Sequence, residues 1–224
     1  METRTRSTID VVVVEDESLY RDMLQRALEQ DPGIRVIAAY GDPHDVLADH
    51  AALSVDAAII DIELSSDLNG FELAMRLRRR SPRLGVVFLS NHREEAFIAA
   101  MRRRQLTGWA YLLKRSVADL ETLIRAIRGA VDGLIVVDPA LVNALEPRPR
   151  TTLSQLTPRQ RDILGLMAQG YSNQAIAERL GIATKSVENH MHSLLMRLEI
   201  DSHDPEIHPR VAAVLRYLYE TRLK

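Results

Sequence analysis

Short hydrophobic runs alternate with amphipathic segments over the first part of the chain. Each run is too short for an independent helix, and several are rich in Val and Ile, as buried strands of parallel sheets are. The runs comprise residues 9–14, 34–39, 57–60, 84–89 and 109–113. Strands that alternate with helices in this way predict a doubly wound α/β domain with a five-stranded parallel sheet.

Apolar residues recur at helical spacing in the intervals between these runs. Asp42 followed by Pro43 predicts a helix start, because Asp caps helix N-termini and Pro suits the first helical position. The other predicted stripes are Leu19, Met23, Leu24, Ala27 and Leu28; Phe71, Ala74, Met75 and Leu77; residues 96–101; and Leu120, Leu123, Ile124, Ile127 and Val131. The pattern thus places a helix after each of the five strands.

The hydrophobic pattern changes after Gly133. A short apolar extension ends near Leu145, and the proline-rich stretch 146–152 reads as a linker. Beyond it no run resembles a strand, and helical patterns begin near Pro158, Asn173, Lys185 and Pro209. We therefore expect an α/β domain at residues 8–132, a linker with a short helix at 133–152, and an all-α domain at 153–224.

Composition limits the classes of protein that fit. The chain of 224 residues has no Cys, which excludes disulfides and thiolate metal sites. No apolar run approaches the ~18 residues of a membrane-spanning helix. We expect a cytoplasmic protein with no membrane partner. Residues 151–224 carry nine Lys/Arg against eight Asp/Glu, so nucleic-acid binding would have to be argued from a motif rather than from bulk charge.

Polar side chains follow four of the predicted strands. They are Glu15 and Asp16 after the first strand, Asp61 after the third, Ser90 after the fourth and Lys114 after the fifth. In an open parallel sheet ligands bind at the carboxyl ends of the strands, and the order 2-1-3-4-5 makes strands one and three neighbours. Carboxylates beside a lysine and a hydroxyl predict a site for Mg²⁺ and a phosphoryl group.

These residues resemble those of response-regulator receiver domains, which have the flavodoxin-like fold. The spacings of 45, 29 and 24 residues from Asp16 through Asp61 and Ser90 to Lys114 fit that family. The resemblance implies that Asp61 is the phospho-acceptor and that Mg²⁺ is held by Glu15, Asp16 and Asp61. It also implies that Lys114 and Ser90 contact the acyl phosphate and that Tyr111 is the aromatic switch residue that changes rotamer together with Ser90.

The second half has the pattern of a helix-turn-helix. Ser172 is placed to cap one helix, and Gly181 permits the left-handed turn that ends it. Ala177, Gly181 and Val187 have the spacing that two crossing helices require. The segments LTPRQRDIL, GYSNQAIAERLGI and SVENH together resemble the LuxR-type helix-turn-helix of the NarL/FixJ subfamily.

This second resemblance implies binding to double-stranded promoter DNA. The helix from about Lys185 would enter the major groove. The candidate DNA contacts are Lys185, Ser186, Asn189 and His192, with Arg179 and Arg197 as candidate phosphate partners. Two positions depart from the family pattern. Ala183 replaces the usual capping serine, so that Thr184 is expected to be the cap, and Glu188 stands where many relatives have lysine.

Together the two resemblances indicate a response-regulator transcription factor. Phosphorylation of Asp61 by a partner histidine kinase would control homodimerisation and DNA binding, with no enzyme activity beyond the receiver's own phosphorylation and dephosphorylation. Two alternatives stay open. Asn91 beside Ser90 and the missing proline after Asp61 allow a phosphorylation-independent regulator. A haloacid-dehalogenase-like phosphatase also combines Asp, Mg²⁺, a hydroxyl and Lys, but carries its nucleophile after the first strand.

Overall fold

The computed structural model describes residues 8–49, 54–92, 107–201 and 208–223. Two compact units divide the chain, with one boundary between Gly133 and Leu134. The predicted helical pattern at residues 96–101 lies outside the described residues. None of the helices within the described ranges is long and apolar enough to cross a membrane.

Parallel strands form the core of the first unit. They are β1 (Ile9–Val14), β2 (Ile34–Tyr40), β3 (Ala57–Asp61), β4 (Gly85–Ser90) and β5 (Trp109–Leu113). Their order is β2-β1-β3-β4-β5, as expected. A further short strand, β6 (Ile135–Val137), lies beyond the boundary, in the second unit. It was not predicted, because three apolar residues carry no periodicity.

Strand register brings the carboxyl ends of the central strands level with one another. Val14 pairs with Ile60, Asp61 with Leu89 and Ser90 with Leu113. The residues that follow β1 and β5 therefore leave the sheet at the same edge as Asp61 and Ser90. Every residue of β3, β4 and β5 is buried, which explains why these strands read as continuous apolar runs.

Helices of the first unit follow the predicted stripes. They are α1 (Ser18–Leu28), α2 (Pro43–Ala48), α3 (Gly70–Arg80) and α4 (Leu120–Val131). On α1 the buried residues are Leu24 and Leu28, whereas Leu19 and Met23 are 83% and 46% exposed. The stripe of α1 is wider than the face that the sheet covers, so spacing alone overstated its buried part.

The start of α3 lies against the end of β3. The side chain of Asn69 caps the helix by accepting a hydrogen bond from the Glu72 amide at 2.9 Å. A Cβ added to Gly70 would lie 2.0 Å from the carbonyl oxygen of Asp61. Only glycine fits this approach, which accounts for its place nine residues after Asp61.

The second unit is mainly helical. Its helices are α5 (Pro139–Val142), α6 (Pro158–Ala168), α7 (Asn173–Leu180), α8 (Thr184–Arg197) and α9 (Pro209–Glu220). Two short strands, β7 (Leu145–Pro147) and β8 (Thr221–Leu223), pair antiparallel. The helical domain expected at residues 153–224 is confirmed, with β8 as an addition at its end, and β7 lies in the predicted linker. Neither strand was predicted, because each contains only three residues and is stabilised by a partner distant in sequence.

The turn between α7 and α8 has the geometry of a helix-turn-helix. The Ser172 hydroxyl accepts a hydrogen bond from the Ala175 amide at 3.2 Å, and Gly181 has φ 65° and ψ 37° in the left-handed region. The expected cap of α8 was wrong. Ala183 occupies the N-cap position, without a side-chain hydrogen bond, and Thr184 is already the first helical residue.

Candidate functional sites: an acidic pocket and an exposed helix

Lys114 lies between two buried carboxylates at the carboxyl edge of the sheet. Its Nζ is 2.9 Å from Oδ2 of Asp61 and 3.0 Å from each carboxylate oxygen of Glu15. Glu15 and Asp61 are 0% and 2% exposed, and Lys114 is 9% exposed. The structure thus brings together three residues that are up to 99 positions apart in the sequence.

The charges of this cluster depend on one another. Burial raises the pKa of Glu15 well above its ordinary value, and the charge of Asp61 acts in the same direction, against the hydrogen bond from Lys114. For Lys114, burial lowers the pKa, but hydrogen bonds to Asp61 and Glu15 outweigh it and raise the pKa above its usual range. Lys114 is therefore a permanent cation at neutral pH.

Asp16 completes a group of three acids. Oxygens of Glu15, Asp16 and Asp61 lie within 4.8 Å of one another. Asp16 is only partly buried, and its Oδ2 accepts a hydrogen bond from the Ser65 amide at 3.1 Å. Burial alone would raise the pKa of Asp16, but the hydrogen bonds from Ser65 lower it overall. The carboxylate is therefore ionised at neutral pH.

The three acids fit a hard divalent cation. Mg²⁺ prefers one or two carboxylates, with the rest of its shell from water or substrate oxygens. Glu15 Oε2 is buried and lies 3.0 Å from Lys114 Nζ, but it accepts no hydrogen bond of good geometry from any residue in the described part of the chain. Such an oxygen still has the lone pairs that a metal ligand needs. Carboxylate donors without thiolate or imidazole suit Mg²⁺ better than a transition metal.

Backbone and aromatic groups around the acids were missed from the sequence. The Glu63 amide donates to Asp61 Oδ1 at 3.0 Å, so both oxygens of Asp61 are held. The centre of the Tyr20 ring lies 4.7 Å from Lys114 Nζ. The Tyr20 contact comes from the first turn of α1, and no spacing in the sequence relates it to Lys114.

Ser90 and Tyr111 meet at the carbonyl of His92. The Tyr111 hydroxyl donates to this oxygen at 2.6 Å, and the Ser90 hydroxyl donates to it at 3.1 Å. The His92 amide in turn donates to Ser90 Oγ at 3.1 Å. Both side chains are fully buried. The two predicted switch residues therefore share one backbone acceptor.

The outward face of α8 carries most of the candidate DNA contacts. Lys185, Asn189 and His192 are exposed, and Ser186 is half-buried. The opposite face is buried through Val187, Leu194 and Leu195. The residues from 185 to 192 span about 10 Å of helix, a length that fits within the major groove.

Local partners engage three of the charged groups near this face. Lys185 Nζ lies 2.9 Å from Oε2 of Glu188. The Arg179 guanidinium lies 4.1 Å from the centre of the Tyr171 ring. Arg197 Nη1 donates to the carbonyl of Gln155 at 2.5 Å. Arg179 and Arg197 are exposed. Each also makes a contact within the protein that the sequence did not predict.

Two family patterns match the chain. The one described as "Response regulator receiver domain" covers residues 11–128, which include the acidic pocket. The one described as "Bacterial regulatory proteins, luxR family" covers residues 154–207, which include α7 and α8. Each pattern therefore covers one of the two candidate sites: the receiver pattern covers the acidic pocket in the first unit, and the luxR-family pattern covers the helix-turn-helix in the second.

Known regulators are similar over most of the chain. The nitrate/nitrite response regulator protein NarL of Escherichia coli K12 is 32% identical, over 86% of this chain and 90% of that protein. The DNA-binding transcriptional activator DevR/DosR of Mycobacterium tuberculosis is 30% identical, over 86% and 89%. A structure of the RcsB response regulator of Salmonella typhimurium has a TM-score of 0.50 at 19% identity, over 95% of this chain and 98% of that one, and supports the fold.

Proposed function

Because this chain belongs to the response regulators that join a receiver domain to a LuxR-type DNA-binding domain, we propose that a partner histidine kinase phosphorylates Asp61. The chain is a DNA-binding transcriptional regulator. Phosphorylation then controls its dimerisation and its sequence-specific binding to promoter DNA in the cytoplasm. Family membership also argues against the haloacid-dehalogenase-like alternative.

One observation carries the choice of Asp61. Its carboxylate is buried at the end of β3, held by Lys114 on one oxygen and by the Glu63 amide on the other. Two fixed hydrogen bonds orient the carboxylate for attack on a donor phosphorus without a further search of rotamers. Glu15 is paired with the same lysine but is fully buried. Asp16 is turned toward Ser65.

The proposed reaction moves one phosphoryl group. A carboxylate oxygen of Asp61 forms the new bond to phosphorus, and the bond from phosphorus to the kinase histidine nitrogen breaks with its electron pair on the imidazole. Lys114 stays protonated and places its charge beside the new phosphoryl oxygens. Glu15, Asp16 and Asp61 would hold Mg²⁺, which when bound supplies positive charge that offsets the phosphoryl group.

A change at Ser90 and Tyr111 would report the modification. In the present arrangement both hydroxyls are engaged by the His92 carbonyl. A phosphoryl group on Asp61 offers three strong acceptors, and Ser90 at the end of the neighbouring strand is the hydroxyl placed to donate to it. If the Ser90 hydroxyl turns to the phosphoryl group, Tyr111 is left as the remaining side-chain donor of the pair at the His92 carbonyl. The two arrangements of Ser90 then form a local two-state element of the kind that switches require.

Contact with the DNA groove is assigned to α8 through Lys185, Ser186, Asn189 and His192, and contact with phosphates to Arg197 of α8 and Arg179 of α7. Dimerisation is assigned to α9. Val211, Val214 and Leu218 of that helix are buried within the unit. Leu215 is half-buried, and Tyr219, one turn further, is 66% exposed. These two form the apolar surface that would pair two DNA-binding units on a two-fold site.

Mass spectrometry of the intact protein tests the acceptor. Incubation with acetyl phosphate and Mg²⁺ should add the mass of one phosphoryl group to the wild type and none to Asp61→Asn. An unchanged adduct on Asp61→Asn would contradict the assignment. A wild type that takes up no phosphoryl group but still binds DNA would favour the phosphorylation-independent alternative that Asn91 leaves open.

A further inference from the structure

The C-terminal end of the chain pairs with the segment that the sequence marks as a linker. Strand β8 lies antiparallel to β7, with Leu145 opposite Leu223, Glu146 opposite Arg222 and Pro147 opposite Thr221. The proline-rich composition of this segment is typical of a loose tether. The structure instead gives it a hydrogen-bonded partner from the opposite end of the second unit.

A buried carboxylate strengthens this pairing. Glu220, the last residue of α9, is 7% exposed. The Thr152 hydroxyl lies 2.8 and 3.0 Å from its two oxygens, and the Leu153 amide donates to Oε2 at 3.0 Å. Arg216 Nη1 is 3.4 Å from Oε1. A buried carboxylate is costly unless it is hydrogen-bonded and paired, so Glu220 favours the conformation in which residues 152–153 stay against α9.

The linker also completes the end of α9. The last carbonyls of a helix have no partner within it. Here the Arg148 amide donates to the carbonyl of Glu220 at 2.7 Å. The Thr221 hydroxyl donates to the carbonyl of Tyr217 at 2.8 Å. Backbone atoms of the linker and of α9 are therefore joined directly, beyond the three strand pairs.

We propose that residues 220–223, the C-terminal latch, fasten linker residues 145–153 to α9 so that the two move as one element. A second part of the proposal rests on the proposed function. The latch is required for phosphorylation to change DNA binding, because residues 145–153 are the covalent connection from α5 to the helix-turn-helix and α9 carries Leu215 and Tyr219, the surface assigned to dimerisation. A free tether would transmit no displacement to α9, whereas a fastened one does.

Closure of the latch has a specific protease readout. Arg148 precedes a proline, so the bond after Arg150 is the one trypsin target between Arg128 and Arg159. Cleavage there requires residues 145–153 to leave α9. Two-stranded pairs are marginal on their own, so deletion of residues 221–224 should accelerate this cleavage on the order of tenfold, the factor expected when one stabilising contact is lost. Thr152→Val should act in the same direction.

Amide hydrogen exchange provides a second readout in the full-length protein. In the wild type the amides of Arg148 and Leu153 should exchange slowly, because both donate to Glu220. Exchange of both should accelerate in the deletion variant and in Thr152→Val. Asp162→Asn removes an exposed carboxylate of α6 in the same unit and is the matched control. Fast exchange of both amides in the wild type, or equal cleavage in all variants, would overturn the latch.

The regulatory part is tested with DNA. A duplex is selected from a random pool by the wild-type protein, and its dissociation constant is measured with and without acetyl phosphate and Mg²⁺. The wild type and Asp162→Asn should show a phosphorylation-dependent change that both latch variants lose while still taking up the phosphoryl group. No change in the wild type contradicts the proposed function itself. An equal change in the wild type and the latch variants contradicts the role of the latch alone.

Discussion

Lys114 compensates two carboxylates that would otherwise repel each other. Two like unit charges about 5 Å apart repel by roughly 3 kcal/mol at an effective dielectric near 20. The cation of Lys114 lies within 3.0 Å of both Glu15 and Asp61, and its attraction to the two carboxylates outweighs their repulsion. Asp16 is not part of this pairing. It faces Ser65 and is more accessible, so it can lose its charge without leaving a buried ion unpaired.

Asp16→Asn should therefore weaken Mg²⁺ binding while leaving the fold intact. Loss of one anionic ligand should reduce affinity by about tenfold or more, because a hard cation binds a neutral amide oxygen less strongly than a carboxylate. Isothermal titration with MgCl₂ measures the affinity. Asp67→Asn is the control, because Asp67 is an exposed acid of the loop that carries Ser65, the partner of Asp16. Equal affinities for Asp16→Asn and the wild type would remove Asp16 from the ligand set.

Glu63 and His92, each two residues beyond a residue of the proposed phosphorylation site (Asp61 and Ser90), should set the lifetime of the phosphorylated state. Glu63 Oε2 accepts a hydrogen bond from Asn91 Nδ2 at 3.1 Å, and its Oε1 is 3.9 Å from His92 Nε2. These groups can orient a water molecule toward an acyl phosphate. The double variant Glu63→Ala/His92→Ala should lose its phosphoryl group about three- to tenfold more slowly than the wild type.

The decay of the phosphorylated protein, followed by mass spectrometry after removal of the donor, measures this rate. Asn91→Ala separates the orientation of the Glu63 carboxylate from its presence. This variant removes the hydrogen-bond partner of Glu63 but keeps the Glu63 carboxylate and the His92 imidazole. An unchanged decay in the double variant would leave Glu63 and His92 as ordinary loop residues.

At the scale of elements, the contact between β3 and α3 fixes the position of the acceptor. The approach of Gly70 to the Asp61 carbonyl leaves no room for a methyl group. Gly70→Ala should lower the free energy of unfolding by about 1–3 kcal/mol, the usual cost of overpacking that forces the backbone to shift. It should also slow phosphorylation, because the shift displaces Asp61 from Lys114.

Urea unfolding followed by the fluorescence of Trp109, the one tryptophan of the chain, measures this change in the receiver unit. Gly41→Ala is a suitable control, since an added Cβ there meets only the guanidinium end of Arg21. If Gly70→Ala were as stable as Gly41→Ala, the close approach to Asp61 would not constrain residue 70.

At the scale of the whole molecule, the small net charge of the DNA-binding part limits its affinity for DNA. Residues 151–224 carry a net charge of only +1, so affinity has to come from a few positioned groups and from two copies together. In this structure Glu188 pairs with Lys185 on the face assigned to DNA. The pair reduces the charge that a phosphate would meet.

Glu188→Lys should raise non-specific DNA affinity and steepen the dependence of log affinity on log salt by about one unit. Lys185→Ala should weaken binding, and it should also reduce base discrimination if Lys185 contacts a guanine edge. Binding of the full-length protein to duplex DNA at several salt concentrations measures both. Glu188→Gln, which removes only the negative charge, is the intermediate control. Unchanged slopes in all three variants would show that α8 does not meet the DNA.

The sequence by itself determined the five main strands, most of the helices between them and the residues of the acidic pocket. Buried parallel strands must be apolar throughout, and the polar residue that ends each strand marks the binding edge. The helix-turn-helix could also be predicted from the sequence, because the capping role of Ser172 and the left-handed turn at Gly181 are each fulfilled by few residue types. The strands, the helices and the helix caps depend on near neighbours in the chain.

Tertiary structure decided the features that depend on distant partners. Leu19 and Met23 share the stripe of α1 but are exposed, because the extent of the sheet below determines how much of that stripe is covered. Thr184 has the chemistry of a cap, but α8 begins one residue too early for it. The pairing of β7 with β8 joins segments more than 70 residues apart. Three-residue strands have no period to detect, and their stability comes from Glu220 and the linker amides, which only folding brings together.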